Sequence, residues 1–285
     1  MPRNVTLRWV MLAATTTLCA SAYGCAQVIG IEDTTVQQSA ADAGTPLGPE
    51  WACENDTPAS ATKSSIKLTI QAFTFSTNPP GPLKGLTVGV CPAFSTCDTP
   101  STTVMTDAMG AATLDLPVGP AGFSGPLKFE AQDHATLLWY FAHPKTDDFT
   151  LTPAMIPTAG LAGIIQGLGV TPDATKGHIT FSVTSCPAAD PDGGALVPTP
   201  QGNMVVSVDP KDPGSSVFYA TPNNSFVSAA TQPATFDNGH GAIWNLTPQG
   251  YKVLATPVGA GKAAVEVAGV IVKAGIVSTI DMTAN

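Results

Sequence analysis

The sequence predicts an all-β protein, two tandem β-sandwiches behind an export leader and a polar lead. Three observations carry this. Apolar and polar residues alternate with period two in short runs past residue 65, the signature of half-buried strands. The chain holds 27 glycines and 26 prolines, so turn material recurs every few residues and little of it could sustain a helix. One turn-and-strand unit also occurs twice, in residues 106–119 and 236–250, which implies two domains of one type.

The front end sets the compartment. Arg3 and Arg8 supply a positive start, no further charge appears before Glu32, and residues 9–22 form an apolar run too short for a membrane span. Ala22-Tyr23-Gly24-Cys25 closes that run and resembles the lipobox of bacterial lipoproteins, in which the cysteine is lipidated and becomes the new N-terminus. The resemblance implies a signal peptide over residues 1–24, lipidation of Cys25 and a membrane partner held through acyl chains worth ~0.8 kcal/mol per buried methylene. Ala26 follows the cysteine where an aspartate would signal inner-membrane retention, so the expected site is the outer membrane, on its periplasmic face or at the cell surface. The alternative is ordinary secretion with cleavage near Ala20 or Ala22. Residues 25–65 are rich in Ala, Asp, Thr, Gln, Ser, Gly and Pro without an apolar period and read as a flexible tether.

Charge and cysteines narrow the class. The net charge is −9, or −11 once Arg3 and Arg8 leave with the leader, and no arginine remains. A chain without a basic stripe or a bidentate guanidinium is a poor reader of phosphates, which excludes nucleic acid as a partner. After Cys19 and Cys25 are set aside, Cys53, Cys91, Cys97 and Cys186 form the even set expected of an oxidising compartment. Cys91 and Cys97 flank a short loop that can close on itself, leaving Cys53 to meet Cys186 and tie the tether's end to the second half.

In residues 66–73 Ile66, Leu68 and Ile70 face opposite Lys67, Thr69 and Gln71; in residues 178–185 Ile179, Phe181 and Val183 alternate with Thr180, Ser182 and Thr184. The two repeats, TDAMGAATLDLPVG and FDNGHGAIWNLTPQG, share an Asp-led turn closing on Gly, an alternating strand, and a Pro-containing turn ending in Gly. After the second come YKVLAT, with Tyr251, Val253 and Ala255 on one face, and two last strands around Lys273-Ala274-Gly275. This run resembles the carboxypeptidase regulatory-like family, a prealbumin-like or collagen-adhesin B-type sandwich of immunoglobulin-like design. Residues 176–285 carry the resemblance through Asp237, Gly241, Leu246, Pro248, Gly250, Tyr251, Gly275, Val277 and Ile280. Residues 66–152 carry Thr106, Asp107, Gly110, Leu116, Pro117 and Gly119, but GPAGFSG replaces the expected Gly-Tyr and no closing hairpin is obvious. The motif speaks for fold and says almost nothing about ligand. Residues 153–175, uncharged to Pro172, form an apolar connector expected to hold a short helix between the sandwiches. Gly163 and Gly167 have the spacing of packed membrane helices, but three prolines and Gln166 argue against a span.

No catalytic constellation emerges. The zinc carboxypeptidase, intradiol dioxygenase and transthyretin-like hydrolase sites each require His, Glu or Arg patterns that His134, His143, His178 and His240 do not supply. A nucleophile elbow is absent, and residues 259–264 lack the glycine and hydroxyl of a phosphate loop. An adhesin-type isopeptide bond would need Lys67 in the core, and it falls on the polar face. Asp190 and Asp192 precede glycines but lack the other ligands of a calcium loop, so no metal and no cofactor is implied. Trp139, Tyr140, Phe218, Tyr219 and Trp244 concentrate the aromatics; exposed, they could stack on sugars or grip a protein, and otherwise they are core. The expectation is a non-enzymatic envelope lipoprotein, structural, adhesive or protein-presenting. Its partner would be an unknown envelope protein or polysaccharide. The alternatives are a carbohydrate-binding accessory lipoprotein and, below it, an unrecognised hydrolase.

Overall fold

The computed structural model describes residues 47–55, 60–75, 80–92, 96–186, 198–223 and 225–284. Cys25, the leader, most of the tether and the Asp190 turn lie outside the described residues. All-β architecture holds, with one short α-helix. In chain order the strands are β1 (Ser65–Gln71), β2 (Phe73–Thr74), β3 (Thr87–Val90), β4 (Thr102–Met105), β5 (Ala111–Pro117), β6 (Leu127–Glu130), β7 (Leu137–Phe141), β8 (Phe149–Leu151) and β9 (Ala154–Met155). Helix α1 (Thr158–Gly167) follows, and then β10 (Gly177–Thr184), β11 (Met204–Asp209), β12 (Ser216–Ala220), β13 (Phe226–Ser228), β14 (His240–Leu246), β15 (Gly250–Pro257), β16 (Val265–Ile271) and β17 (Val277–Thr283).

Each half is a sandwich with the same pairing plan. In the first, β1 lies between antiparallel β5 and parallel β8, while β6 joins β3 to β7. In the second, β10 lies between antiparallel β14 and parallel β17, while β15 joins β11 to β16. The alternation in the sequence sets these faces: β1 buries Ile66, Leu68 and Ile70 and leaves Lys67, Thr69 and Gln71 exposed. The closing strands of the first half, which no sequence signal marked, are β7 and β8.

The sandwiches are fused. β7 and β17 pair in parallel from Leu137↔Val277 to Phe141↔Asp281, producing one nine-stranded sheet in the order β13-β12-β14-β10-β17-β7-β6-β3-β4. β7 consequently serves two cores: Leu138 and Tyr140 join the second sandwich's core, while Leu137, Trp139 and Phe141 pack into the first. The cover sheets β5-β1-β8 and β11-β15-β16 thus lie on opposite faces of the shared sheet. Helix α1 occupies the first cover sheet's side, where Leu161 and Ile165 pack on Phe218, Ala242, Trp244 and Val277.

The repeated turn recurs in its threonine and glycine bonds and differs in its side-chain acceptor. Thr106 Oγ1 donates to the Leu83 carbonyl at 2.6 Å and accepts from Leu86 N–H at 3.0 Å; Thr235 Oγ1 donates to the Gln201 carbonyl at 2.8 Å and accepts from Met204 N–H at 3.0 Å. Gly110 and Gly239 both hold positive φ, +74° and +68°, and their carbonyls accept from Ala72 and Val183 N–H at 2.8 and 3.0 Å. The equivalence corrects the expected alignment. Gly239, not Gly241, is the turn glycine, and Asn238 rather than Asp237 supplies the side-chain acceptor, at 3.3 Å from His240 N. Gly241 serves packing, because a Cβ there would lie 2.3 Å from the Phe181 ring.

A second correction concerns the tether. Pro49–Asn55, inside the stretch read as flexible, forms a 3-10 helix whose Trp51 is only 1% exposed in the second sandwich's core. One indole and one disulfide there provide the burial that the average composition concealed.

Candidate functional site

The parallel strands β7, β10 and β17 define two poles. They start near Thr136, Lys176 and Gly275, linked by Val277 N–H to the Thr136 carbonyl and Gly275 N–H to the Lys176 carbonyl. They end near His143, Ser185 and Ala284, where Ala284 N–H bonds the Thr184 carbonyl. At this second pole Cys53 is joined to Cys186, with Cα atoms 5.7 Å apart, Cys186 N–H bonds the Glu50 carbonyl at 2.9 Å, and His143 Nε2 sits 3.0 Å from Glu54. The lead and the C-terminal strand therefore leave from one end. Cys91 is joined to Cys97, with Cα atoms 5.3 Å apart, and the pair packs into the second sandwich's core.

The five aromatics considered for ligand contact are structural. Tyr140, Phe218, Tyr219 and Trp244 are 7%, 5%, 1% and 1% exposed, and Trp139, half-buried, meets Phe129 edge-on at 6.2 Å. Strands β7 and β14 belong to a sheet covered on both faces, so their apolar runs have no solvent side. Two of these residues have a specific task. The Tyr140 hydroxyl accepts from Ile271 N–H at 3.2 Å and the Tyr219 hydroxyl accepts from Val206 N–H at 3.1 Å. Ile271 and Val206 lie on β16 and β11, the two edges of the second cover sheet. Each edge is thus capped by a phenol from the shared sheet, which restrains further strand addition. Burial raises the Tyr140 pKa to about 12 against the bond to Ile271.

Two clefts remain. One, of about 220 Å³, lies at the lead's pole between His143–Phe149 loop residues and Thr283, with Lys145 bridging to Asp281 at 3.3 Å. The other, of about 360 Å³, lies at the opposite pole, bordered by Leu161 and Ile165 of α1 and by His134, Asp173, Lys176 and His178. Sequence reasoning gave His178 no role. Burial lowers its pKa to about 4, and its Nδ1 accepts from Asn245 N–H at 3.3 Å, which leaves the neutral ring's proton on Nε2. Such an imidazole can donate a hydrogen bond but offers no Nε2 lone pair as a base. Its neighbours Trp244 and Asn245 hold Nε1 and Oδ1 buried without a partner among the described residues. His134 is committed, Nδ1 to the Gln132 carbonyl at 2.7 Å and Nε2 to Thr74 Oγ1 at 3.3 Å. No group of three His, Cys, Asp or Glu side chains among the described residues is arranged to hold a metal ion.

Among the described residues, the exposed large apolar side chains lie in two regions. Phe75, Met105 and Met109, 43%, 64% and 66% exposed, stand at the pole away from the lead, Met105 at the end of β4; Val205 lies on β11 and Val258 just past β15. Gln71 Nε2 donates to the Met109 carbonyl at 2.7 Å, and Phe75 N–H to the Met155 carbonyl at 2.8 Å. Lys67 is exposed, as its polar-face position implied. No described helix is long and apolar enough to cross a membrane.

No family model matches the sequence, and no curated protein matches it. Among solved structures, similarity is found to the TIE protein of Bacillus anthracis, at 12% identity and a TM-score of 0.23, covering 77% of this chain and 34% of that one. The shaft pilin SpaA of Lactobacillus rhamnosus GG gives 14% identity and a TM-score of 0.24 over 76% of this chain and 96% of that one. A minor pilin of Streptococcus agalactiae gives 13% identity and a TM-score of 0.23 over 76% and 94%. The chain spans about a third of the Bacillus protein. Superposition this poor carries no argument about function.

Proposed function

We propose that this chain is a non-catalytic structural module of the bacterial envelope, exported, lipid-anchored through Cys25, and built to hold one pole of a rigid body away from the membrane. The observation that supports it is the polarity of the fold. The lead, its disulfide and the C-terminal strand gather at one pole, and the opposite pole carries the exposed Phe75, Met105 and Met109. The seam from Leu137↔Val277 to Phe141↔Asp281 makes two carboxypeptidase regulatory-like sandwiches behave as one block, which suits a spacer or presenter. Two disulfides fit an oxidising compartment. The sugar-binding reading loses the residues that supported it, since its aromatics are packed inside.

The test is expression of the full chain and of Cys25→Ser in a Gram-negative host fed labelled palmitate. The wild type should label and fractionate with the outer membrane, and the variant should lose label and appear in the soluble periplasm. An unlabelled wild type, or a variant that stays on the membrane, overturns the anchor.

A further inference from the structure

We infer that the Cys53–Cys186 disulfide is a clamp that passes tension from the lead straight into the shared sheet at the end of β10 and takes the first sandwich out of the force path. The inference rests on reading the chain as a tethered, presenting module. Cys53 precedes the first strand, and Cys186 lies two residues past the end of β10. β10 sits inside the nine-stranded sheet, antiparallel to β14 and parallel to β17 over seven registered pairs. A pull on the lead therefore draws β10 by its C-terminal end.

An object held at the opposite pole, at the exposed turn of Ala274 and Gly275, draws β17 by its start. Parallel neighbours drawn from opposite ends must slide past each other, so the bonds of the β10–β17 ladder share the force instead of opening in turn. Without the disulfide, once the packing of Trp51 has yielded, the same pull enters at Ser65, the first residue of β1 in a three-stranded cover sheet. It then reaches the second half through the first sandwich and a seam of five registered pairs.

The surroundings seat the clamp. Trp51 is 1% exposed in the second core, Glu50 accepts from Cys186 N–H, and Glu54 meets His143 at 3.0 Å. A further consequence is that a chain cut at the exposed Lys63 leaves the lead covalently joined to β10.

The test is single-molecule pulling on the full chain, with one handle at the N-terminus and one inserted at Ala274. In the wild type, the first rupture should be the β10–β17 ladder, with the first sandwich unextended. In Cys53→Ala/Cys186→Ala the first sandwich should extend first and at lower force. The fully extended variant should be longer by roughly 420–460 Å, the span of the 133-residue separation less the 6 residues that Cys91–Cys97 still closes, at ~3.3–3.6 Å per residue. Equal first-rupture forces, or a wild-type first sandwich that extends before the ladder yields, overturn the inference. Trp51→Ala retains the disulfide and separates packing from cross-link: it should keep the wild-type order of events, and loss of that order in Trp51→Ala would assign the effect to packing and also overturn the clamp. Pulling on purified chain is independent of lipidation at Cys25, so failure here is distinguishable from failure of the anchor.

Discussion

The first sandwich widens one of its sheets and the second sandwich widens the other. β4 flanks β3 in the first, whereas β12 and β13 flank β14 in the second. The placement decides which edges stay open. In the first half β7 remains an edge of the widened sheet, in the second β17 does, and the two edges meet to form the seam. The second cover sheet's own edges are closed by Tyr140 and Tyr219. An edge strand is a pairing template unless something blocks it, and here one pair of edges is used for fusion while another is capped.

The disulfides provide the largest contrast. Chain entropy for a loop of 133 residues gives about 5 kcal/mol, and for one of 6 residues about 2 kcal/mol. Cys53→Ala/Cys186→Ala should therefore lower the denaturation midpoint in guanidinium far more than Cys91→Ala/Cys97→Ala. Similar losses for the two would mean that the lead is already held by Trp51 in the reduced, unfolded-state reference.

Next come the paired turns. A Cβ on Gly110 would lie 2.2 Å from the Ala72 carbonyl oxygen, and one on Gly239 2.3 Å from the Val183 carbonyl oxygen, both at positive φ. Gly110→Ala and Gly239→Ala should each cost about 3–4 kcal/mol, from left-handed strain plus overpacking. Chemical denaturation of both variants checks whether the repeat is energetic as well as geometric; Gly241→Ala should also destabilise, through the Phe181 ring rather than through the turn.

The repeat was legible because its chemistry is local, an Asp–Gly turn, an alternating strand and a Pro–Gly ending, but its register was not: Thr235, one residue ahead of the second copy as read, was the sign that would have aligned it with Thr106. The alternation of Ile66, Leu68 and Ile70 likewise located a strand with one dry face. The closing strands of the first half were not legible, since Leu-Leu-Trp-Tyr-Phe in β7 has no polar side to alternate with and β8 is three residues long. That run looked like a surface aromatic cluster because period analysis assumes one buried face, and fusion of the sheets buries both. Trp51 was missed for the opposite reason: one tryptophan in a polar segment leaves no period, and only the long-range cross-link marks its destination.

A third contrast lies at equivalent positions of β1 and β10. Lys67 is exposed, while His178, covered by α1 and edge-on to Trp244 at 5.3 Å, is 3% exposed. Burial lowers the His178 pKa from 6.5 to about 4, so the unfolded chain binds the extra proton between those values and stability falls as pH drops through that window. The loss should reach on the order of 3 kcal/mol by pH 4, at about 1.4 kcal/mol per pH unit. Below it a second loss begins: burial opposes the charge on Asp212, but bonds from Thr247, Tyr251 and Gly214 outweigh it and hold the pKa at about 2. His178→Phe should reduce the slope between pH 6.5 and 4 to what His240, whose pKa burial also lowers, contributes, and leave the lower part unchanged. A wild-type profile that is flat above pH 4 would mean that the imidazole is not kept neutral under α1.

The smallest effects separate the seam from the cap. Tyr219→Phe strips the partner from Val206 N–H within the second sandwich, and Tyr140→Phe strips it from Ile271 N–H across the junction between halves. Each leaves a backbone donor unsatisfied and should cost about 1–3 kcal/mol. Their consequences differ because Tyr140 sits on β7, the strand with a side chain in each core. Tyr140→Phe should loosen the coupling of the sandwiches and split the calorimetric unfolding into two overlapping transitions, while Tyr219→Phe should shift a single transition downward. If both variants keep one sharp transition, the five-pair ladder of β7 and β17 alone couples the halves, and the phenol at Ile271 serves only to close the edge of β16.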